Sequence, residues 1–481
     1  MKSINLLFAF ALLAVPGAFG QGLPDLGDVS QSELSPVQER SLGLGIMREI
    51  RADRSYSDDV ETADYLNTLG NRLVSAGAAS RQEFEFFLIL DPQVNAFALP
   101  GGFIGVNSGL ILAAQSESEL ASVLSHEIAH VTQHHVSRML VAQKQAMITS
   151  LAGLAIAILA SRVSSQMSEA ALVASQAASV QSSLNFTRDN EREADRVGFQ
   201  TLEQAGFDPQ AMPLFFERLQ HATRFYETAA PSYLRTHPLT YERIADMQNR
   251  AQNLPYRQVP DGLEFQLIRA KLKAAQDSPQ DSVAFFEESL KERKYLSEAA
   301  SRYGLVAALI RSKAYARAKQ ELQTLRNTVG PSPIIDRLAA QLYEAAGDIA
   351  MALQTYRKAL TNYPGYRALI YDYADALVRS RQPEEALKLV ESRLQYTLSD
   401  YRLYQLQAKC YAALNKSLQQ HRALAEANYR LGNIPAAIEQ LVLAQKSGDG
   451  DFYQQSSVDA RLRELRAVDK ETRKEGRDKK R

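Results

Sequence analysis

Four alanines at a fixed interval constrain this chain more than any other feature. Ala284, Ala318, Ala352 and Ala386 are spaced 34, 34 and 34 residues apart, in a stretch from about Leu267 onward that is helical in texture. A fixed period of this length means stacked helix pairs, each unable to bury its apolar face alone. Around Ala352 the pattern fills out. Gly347-Asp348 begins five residues before it, and Tyr356, Ala359 and Pro364 follow at +4, +7 and +12. Small residues at such places let two helices approach closely. The unit of Ala386 has Arg381 where its neighbour has Gly347, so its turn is less well marked. Ala437, in Gly432-Asn433-Ile434-Pro435-Ala436-Ala437, lies 51 residues after Ala386, one and a half periods, so the helix around Leu418 to Tyr429 is expected to serve two neighbouring pairs. A generic helical bundle is the competing reading.

The array leaves more than half of the 481 residues to other units, in keeping with about 150 residues per domain. Lys+Arg and Asp+Glu are 55 each, so no long-range field draws in nucleic acid or an anionic membrane. The balance argues against a dedicated nucleic-acid binder. The single cysteine, Cys410, rules out intramolecular disulfides and thiolate zinc sites, so any metal must be held by histidines and carboxylates. The start reads as a signal peptide, residues 1–20: a lysine, the apolar run Leu6 to Val15, and Ala18-Phe19-Gly20 as a small-x-small cleavage site after Gly20. The run is about half the ~20 residues a spanning helix needs. No cysteine follows to carry a lipid, so the expected compartment is the periplasm, with no spanning segment in the mature chain.

Further on, Phe84 to Leu90 is apolar and aromatic enough for a strand, and Pro100-Gly101-Gly102 between two apolar runs reads as a hairpin turn. A helix is expected from Ser116, with Glu119 completing a capping box. Ala146 to Ala160 is apolar and continues as Ala/Ser/Gln over Val163 to Ser183, either a covering helical hairpin or a flap over a cleft. A helix near Thr187 should stop at Gly206-Phe207-Asp208-Pro209, and another follows over Met212 to Ala222. Residues 466–481 end in a basic stretch, expected as a disordered tail.

The chemistry concentrates on the helix from Ser116, in His126-Glu127-Ile128-Ala129-His130. Residues four apart share a helix face, so both imidazoles reach one ion, with Glu127 beside them. Zinc brings the pKa of a coordinated water to about 7, and a carboxylate so placed takes its proton as it attacks a carbonyl. The third donor separates by spacing. A metzincin has a histidine at what is Val136 here and a glycine at Gln133, which excludes that branch. His134 and His135 are expected on the helix surface. In Asn190-Glu191-Arg192-Glu193-Ala194-Asp195, Glu191 and Asp195 share a face, whereas Glu193 lies about 200° from Glu191. Glu191 as metal ligand with Asp195 hydrogen-bonded to a ligating histidine uses both acids. An acidic first turn favoured by the helix dipole is the alternative.

His126-Glu127-x-x-His130, the segment Asn95-Ala96-Phe97-Ala98-Leu99-Pro100-Gly101-Gly102 and Glu191-x-x-x-Asp195 together resemble the M48 zinc metallopeptidases. The repeat positions resemble tetratricopeptide helix pairs, and signal peptide plus array resemble the periplasmic members of that family. The resemblance implies a mainly α fold: a gluzincin-type α+β metallopeptidase domain with a small β-sheet, residues 21–258, followed by an α-helical tetratricopeptide solenoid, residues 259–465. It implies one zinc ion, proteolysis of unfolded or misassembled outer-membrane proteins, and a chaperone-like role in which the repeats meet the outer-membrane β-barrel assembly machinery. It also bears on His237, before Pro238. In similar periplasmic enzymes a histidine here approaches the zinc as a fourth ligand, which would make the resting enzyme latent; a catalytic role at the oxyanion is the other possibility. Arg243, six residues on, is expected as a helix-surface charge, with contact to the site or to a substrate carbonyl as the alternative. The alternative function is a non-catalytic tetratricopeptide binding scaffold.

Overall fold

The computed structural model describes residues 35–77, 82–139, 187–223, 233–234, 237–255 and 257–478. The proposed signal peptide and the apolar 146–160 segment lie outside the described residues. Helix α1 (Pro36–Ala52) starts at a full capping box, Ser35 and Gln38 each accepting the other's backbone N–H. After α2 (Val60–Ala76) come β1 (Glu85–Ile89), β2 (Ala96–Leu99) and β3 (Phe103–Asn107). The sheet order is β1-β3-β2, with β1 parallel and β2 antiparallel to β3. The β2–β3 hairpin turns on Gly101 and Gly102 at φ 79 and 84, and a Cβ on Gly102 would strike the Glu83 carbonyl at 2.1 Å. Only glycine fits there.

Against the sheet pack α2, α3 (Ser108–Ala113) and α4 (Glu117–Thr132); α5 (residues 187–204) follows, and α6 (Ala211–Thr223) packs on α4 and on α7 (Tyr241–Gln252). The Ser116 hydroxyl caps α4 through the Glu119 N–H, but the Glu119 carboxylate accepts from Gln115 N and is gripped by Arg218, so the capping box is only half formed. Leu120, Val123, Leu124 and Ile128 of α4 join Phe86, Ile104, Phe199 and Phe215 in one core. Gly198 sets how near α5 comes: a Cβ there would lie 3.0 Å from the His126 backbone N and Cα.

The second half is a run of paired helices: α8 (Leu263–Gln276), α9 (Pro279–Glu292), α10 (Glu298–Arg311), α11 (Tyr315–Thr328), α12 (Pro333–Ala345), α13 (Ile349–Asn362), α14 (Arg367–Arg379), α15 (Pro383–Leu394), α16 (Tyr401–Ala413), α17 (Ser417–Arg430), α18 (Ile434–Lys446) and α19 (Phe452–Asp478). Ala318, Ala352 and Ala386 are each buried at the fourth residue of their helices. Ala284 is not. Helix α9 begins 36 residues before α11, so the buried fourth residue is Ser282 and Ala284 faces solvent. The phase is carried more faithfully by the turns, where Lys313, Gly347, Arg381 and Asn415, 34 residues apart, all have left-handed φ of 63, 82, 58 and 58. The Arg381 turn therefore matches that of Gly347. Helix α17 packs on both α16 and α18, as the one-and-a-half-period offset of Ala437 required.

The two halves share a core. Phe265, Leu267 and Ile268 of α8 pack with Tyr65, Leu110 and Phe215, Arg269 donates to the Leu112 carbonyl, and the Glu117 N–H donates to Asp261. A second seam lies at the start of α2. Buried Glu61 accepts from Lys271 at 2.8 Å, Arg337 at 3.0 Å and the Tyr366 hydroxyl at 3.0 Å. Asp59 pairs with Lys271, Asp64 with Arg367, and Asp58 with Arg402. These partners come from α8, α12, α14 and α16, so the array curves around one helix end. Instead of fraying from residue 466, α19 stays helical to Asp478, anchored by Val458, Leu462 and Leu465 against Leu418 and Leu441.

Candidate metal centre

Helix α4 carries His126 and His130 one turn apart, α5 brings Glu191 to them, and the segment before α7 supplies His237. One donor atom from each lies within 4.8 Å of all the others. His126 Nε2 is 3.0 Å from His130 Nε2, 3.3 Å from His237 Nδ1 and 3.4 Å from Glu191 Oε2. Glu191 Oε1 is 3.3 Å from His130 Nε2 and 3.0 Å from His237 Nδ1. Glu127 Oε1 is buried without a hydrogen bond, 3.4 Å from His237 Nε2.

Around this group the charges are arranged in depth. Asp195 Oδ1 is 3.0 Å from His126 Nδ1, and Arg243 holds Asp195 through Nε at 2.6 Å and Nη2 at 2.8 Å. Arg243 Nη1 also lies 2.9 Å from Glu191 Oε2 and donates to the Pro238 carbonyl at 2.7 Å. Burial would push Glu191 up, but hydrogen bonds from His126, His130 and His237 outweigh it and hold the carboxyl well below the usual range. Asp195 is held down against burial by Arg243 and then His126. Burial would lower His126, yet hydrogen bonds to Asp195 and Glu191 raise it to about 10. Glu191 and Asp195 both pair with the buried guanidinium of Arg243, and Glu127 lies beside His237, so acidic groups crowd the pocket. Three imidazole nitrogens and a carboxylate oxygen converging in such a pocket suit a divalent cation such as zinc.

Arg243 was not to be found from helical spacing. It is 4% exposed, not a surface charge. The signal for it was the surplus of acid, which in a buried site calls for a cation. Tyr233 was missed as well: fully buried, its ring stacks on His237 at 4.7 Å, and its carbonyl accepts the His237 N–H. His134 is half-buried near Glu39, but His135 is buried, its Nδ1 2.8 Å from His130 Nδ1. Burial, with His130 and Arg138 beside it, pushes His135 down to about 3, so it is neutral. Glu193 points away from the four donors, as its helical angle implied, yet it reaches His135 from the other side.

Comparison with known proteins agrees with this geometry. The model of Peptidase family M48 matches residues 61–251, and a tetratricopeptide repeat model matches residues 343–410. The chain is 32% identical over 472 residues to the beta-barrel assembly-enhancing protease of Escherichia coli (strain K12), covering 96% of each. It is 33% identical over 445 residues to the putative beta-barrel assembly-enhancing protease of Vibrio cholerae, 92% of each. A shorter likeness, 31% over 197 residues, covers 41% of this chain and 55% of the mitochondrial metalloendopeptidase OMA1 of Schizosaccharomyces pombe. Identity at this level across nearly the full length of two chains carries kinship with it: the chain belongs to peptidase family M48, as a metallopeptidase joined to a tetratricopeptide array.

Proposed function

We propose that this chain is a periplasmic zinc endopeptidase that hydrolyses misassembled outer-membrane proteins and assists their assembly, with the repeats meeting the β-barrel assembly machinery. The names of the full-length relatives support the cellular role. Among the described residues no helix is long and apolar enough to cross a membrane, which is compatible with that setting. The division at residues 21–258 and 259–465 is kept as one of function, since a shared core joins the two parts.

In this reading one zinc ion is held by His126, His130 and Glu191, and the observation that carries it is the convergence of these donors beside a buried, unbonded carboxylate oxygen of Glu127. When bound, zinc supplies Lewis acidity toward a peptide carbonyl and a water molecule. Glu127 Oε1 takes the proton of the attacking water and returns it to the leaving amine. Asp195 Oδ1, 3.0 Å from His126 Nδ1, favours the tautomer that turns the Nε2 lone pair inward, while Arg243 holds Asp195 in place. His237, with Nδ1 3.0 Å from Glu191 and Nε2 3.4 Å from Glu127, would serve as a fourth donor, and a site closed in this way would keep the resting enzyme latent.

A non-catalytic scaffold has no use for a base between two metal-binding histidines. Glu127→Gln separates the two, since the amide is nearly isosteric and accepts no proton. The expected result is full zinc content with casein digestion reduced by about 10² to 10⁴; digestion at the wild-type rate would remove the enzymatic reading.

A further inference from the structure

We propose that His135, Glu193 and Arg138 form a hydrogen-bonded relay that fixes the tautomer and angle of His130 and thereby sets the zinc affinity; the inference rests on the zinc reading above. His130 Nδ1 is 2.8 Å from His135 Nδ1, and His135 Nε2 is 3.3 Å from Glu193 Oε2. Arg138 Nη2 lies 2.5 Å from that same carboxylate oxygen and 3.1 Å from Asn190 Oδ1.

Only one arrangement of protons satisfies the line. A His130 that turns its Nε2 lone pair to a cation carries its single N–H on Nδ1, where it must donate. His135 Nδ1 then accepts, its own N–H sits on Nε2, and the carboxylate of Glu193, which only accepts, receives it. The opposite tautomer of His135 would set two N–H groups against each other at 2.8 Å and leave a lone pair facing Glu193. The guanidinium of Arg138 pins the far end.

The backbone is shaped for this. Helix α4 ends at Thr132, His134 takes a left-handed φ of 53, and the chain turns so that His135 comes back under His130. His126 has the same support in one step, through Asp195 and Arg243. Both imidazoles of the motif are therefore backed by a carboxylate and a guanidinium, one directly and the other through a second imidazole. His135 is a positioning residue and touches no substrate.

The test is the zinc dissociation constant of the purified full-length chain, by competition with a chromophoric chelator, for wild type, His135→Phe, His135→Asn and Glu193→Ala, alongside thermal unfolding of each metal-free protein. Loss of such an outer partner typically weakens metal binding about 10–100-fold, and that is expected for His135→Phe, with a smaller loss for Glu193→Ala. His135→Asn keeps an acceptor near the Nδ1 position and should recover most of the affinity, which a merely space-filling role would not produce. If His135→Phe does not fold, the half-exposed Glu193→Ala decides. Variants that bind zinc within about twofold of a tightly binding wild type, or Asn and Phe losing equally, overturn the relay alone. A wild type that binds no zinc overturns the zinc reading with it.

Discussion

Arg243→Met tests whether the pocket depends on one buried cation. Methionine keeps most of the aliphatic stem and removes the guanidinium, with its charge, its donors and its place 5.5 Å from the Phe216 ring centre. The guanidinium makes two contacts to Asp195 at 2.6 and 2.8 Å, one to Glu191 at 2.9 Å and one to the Pro238 carbonyl at 2.7 Å. With Arg243 and Asp195 4% and 1% exposed, the change leaves buried acids unpaired, a loss of about 3–5 kcal/mol rather than the ~0–1 of a surface pair. Asp195 is held below its unfolded value, so its contribution is complete above about pH 5 and disappears as pH falls through the depressed folded value. The wild-type advantage should therefore be full at pH 7 and narrow in acid. The assay is urea unfolding of metal-free protein followed by circular dichroism, since the chain has no tryptophan. Arg243→Met combined with Asp195→Asn should recover part of the loss, because the unpaired charge is gone. A cost below about 1 kcal/mol at pH 7, or one that does not shrink in acid, would refute the argument.

Gly198→Ala places a Cβ 3.0 Å from the His126 backbone, which forces α5 outward; about 1–3 kcal/mol of stability should go, together with weaker zinc binding because Glu191 rides on that helix, and unchanged values of both would show that the spacing is not set there. Gly347→Ala meets no neighbour, so its cost comes from the left-handed backbone alone, about 1 kcal/mol, while Arg381→Gly should raise the denaturation midpoint of the array by relieving the same conformation. His237→Ala should increase casein digestion if the residue closes the site, whereas loss of an oxyanion donor would cost about 10²–10³ in rate at unchanged zinc content; the sign of the change decides between the two.

What could be read from the sequence followed from local geometry. The four-residue spacings of His126 with His130 and of Glu191 with Asp195 settle which side chains share a helix face, and the structure sets those faces opposite each other. His237 was reached through a family likeness, since a lone histidine before proline carries no geometric message. The burial of Arg243, Tyr233 and His135 stayed hidden because it depends on how α4, α5, α7 and the segment before α7 meet. Ala284 misled for another reason: identical letters 34 residues apart do not mark the same helical position when one helix begins two residues early.

The acidic start of α2 has a mechanical consequence. A helical-repeat solenoid is ordinarily a spring, because each repeat touches only its neighbours and small changes of angle add along the stack. Here Glu61, Asp59, Asp64 and Asp58 act as a hub with spokes to Lys271, Arg337, Arg367 and Arg402. Winding or unwinding the coil between α8 and α16 would have to stretch these charged spokes, so that span is stiff. Compliance is left to the turns of α17 to α19, which none of these spokes reaches; there the Arg48 side chain of α1, outside the hub, donates to the Gly432 carbonyl at 3.3 Å. A pull on the far end of the array is thus taken up locally, before any strain reaches the helices that hold the metal centre.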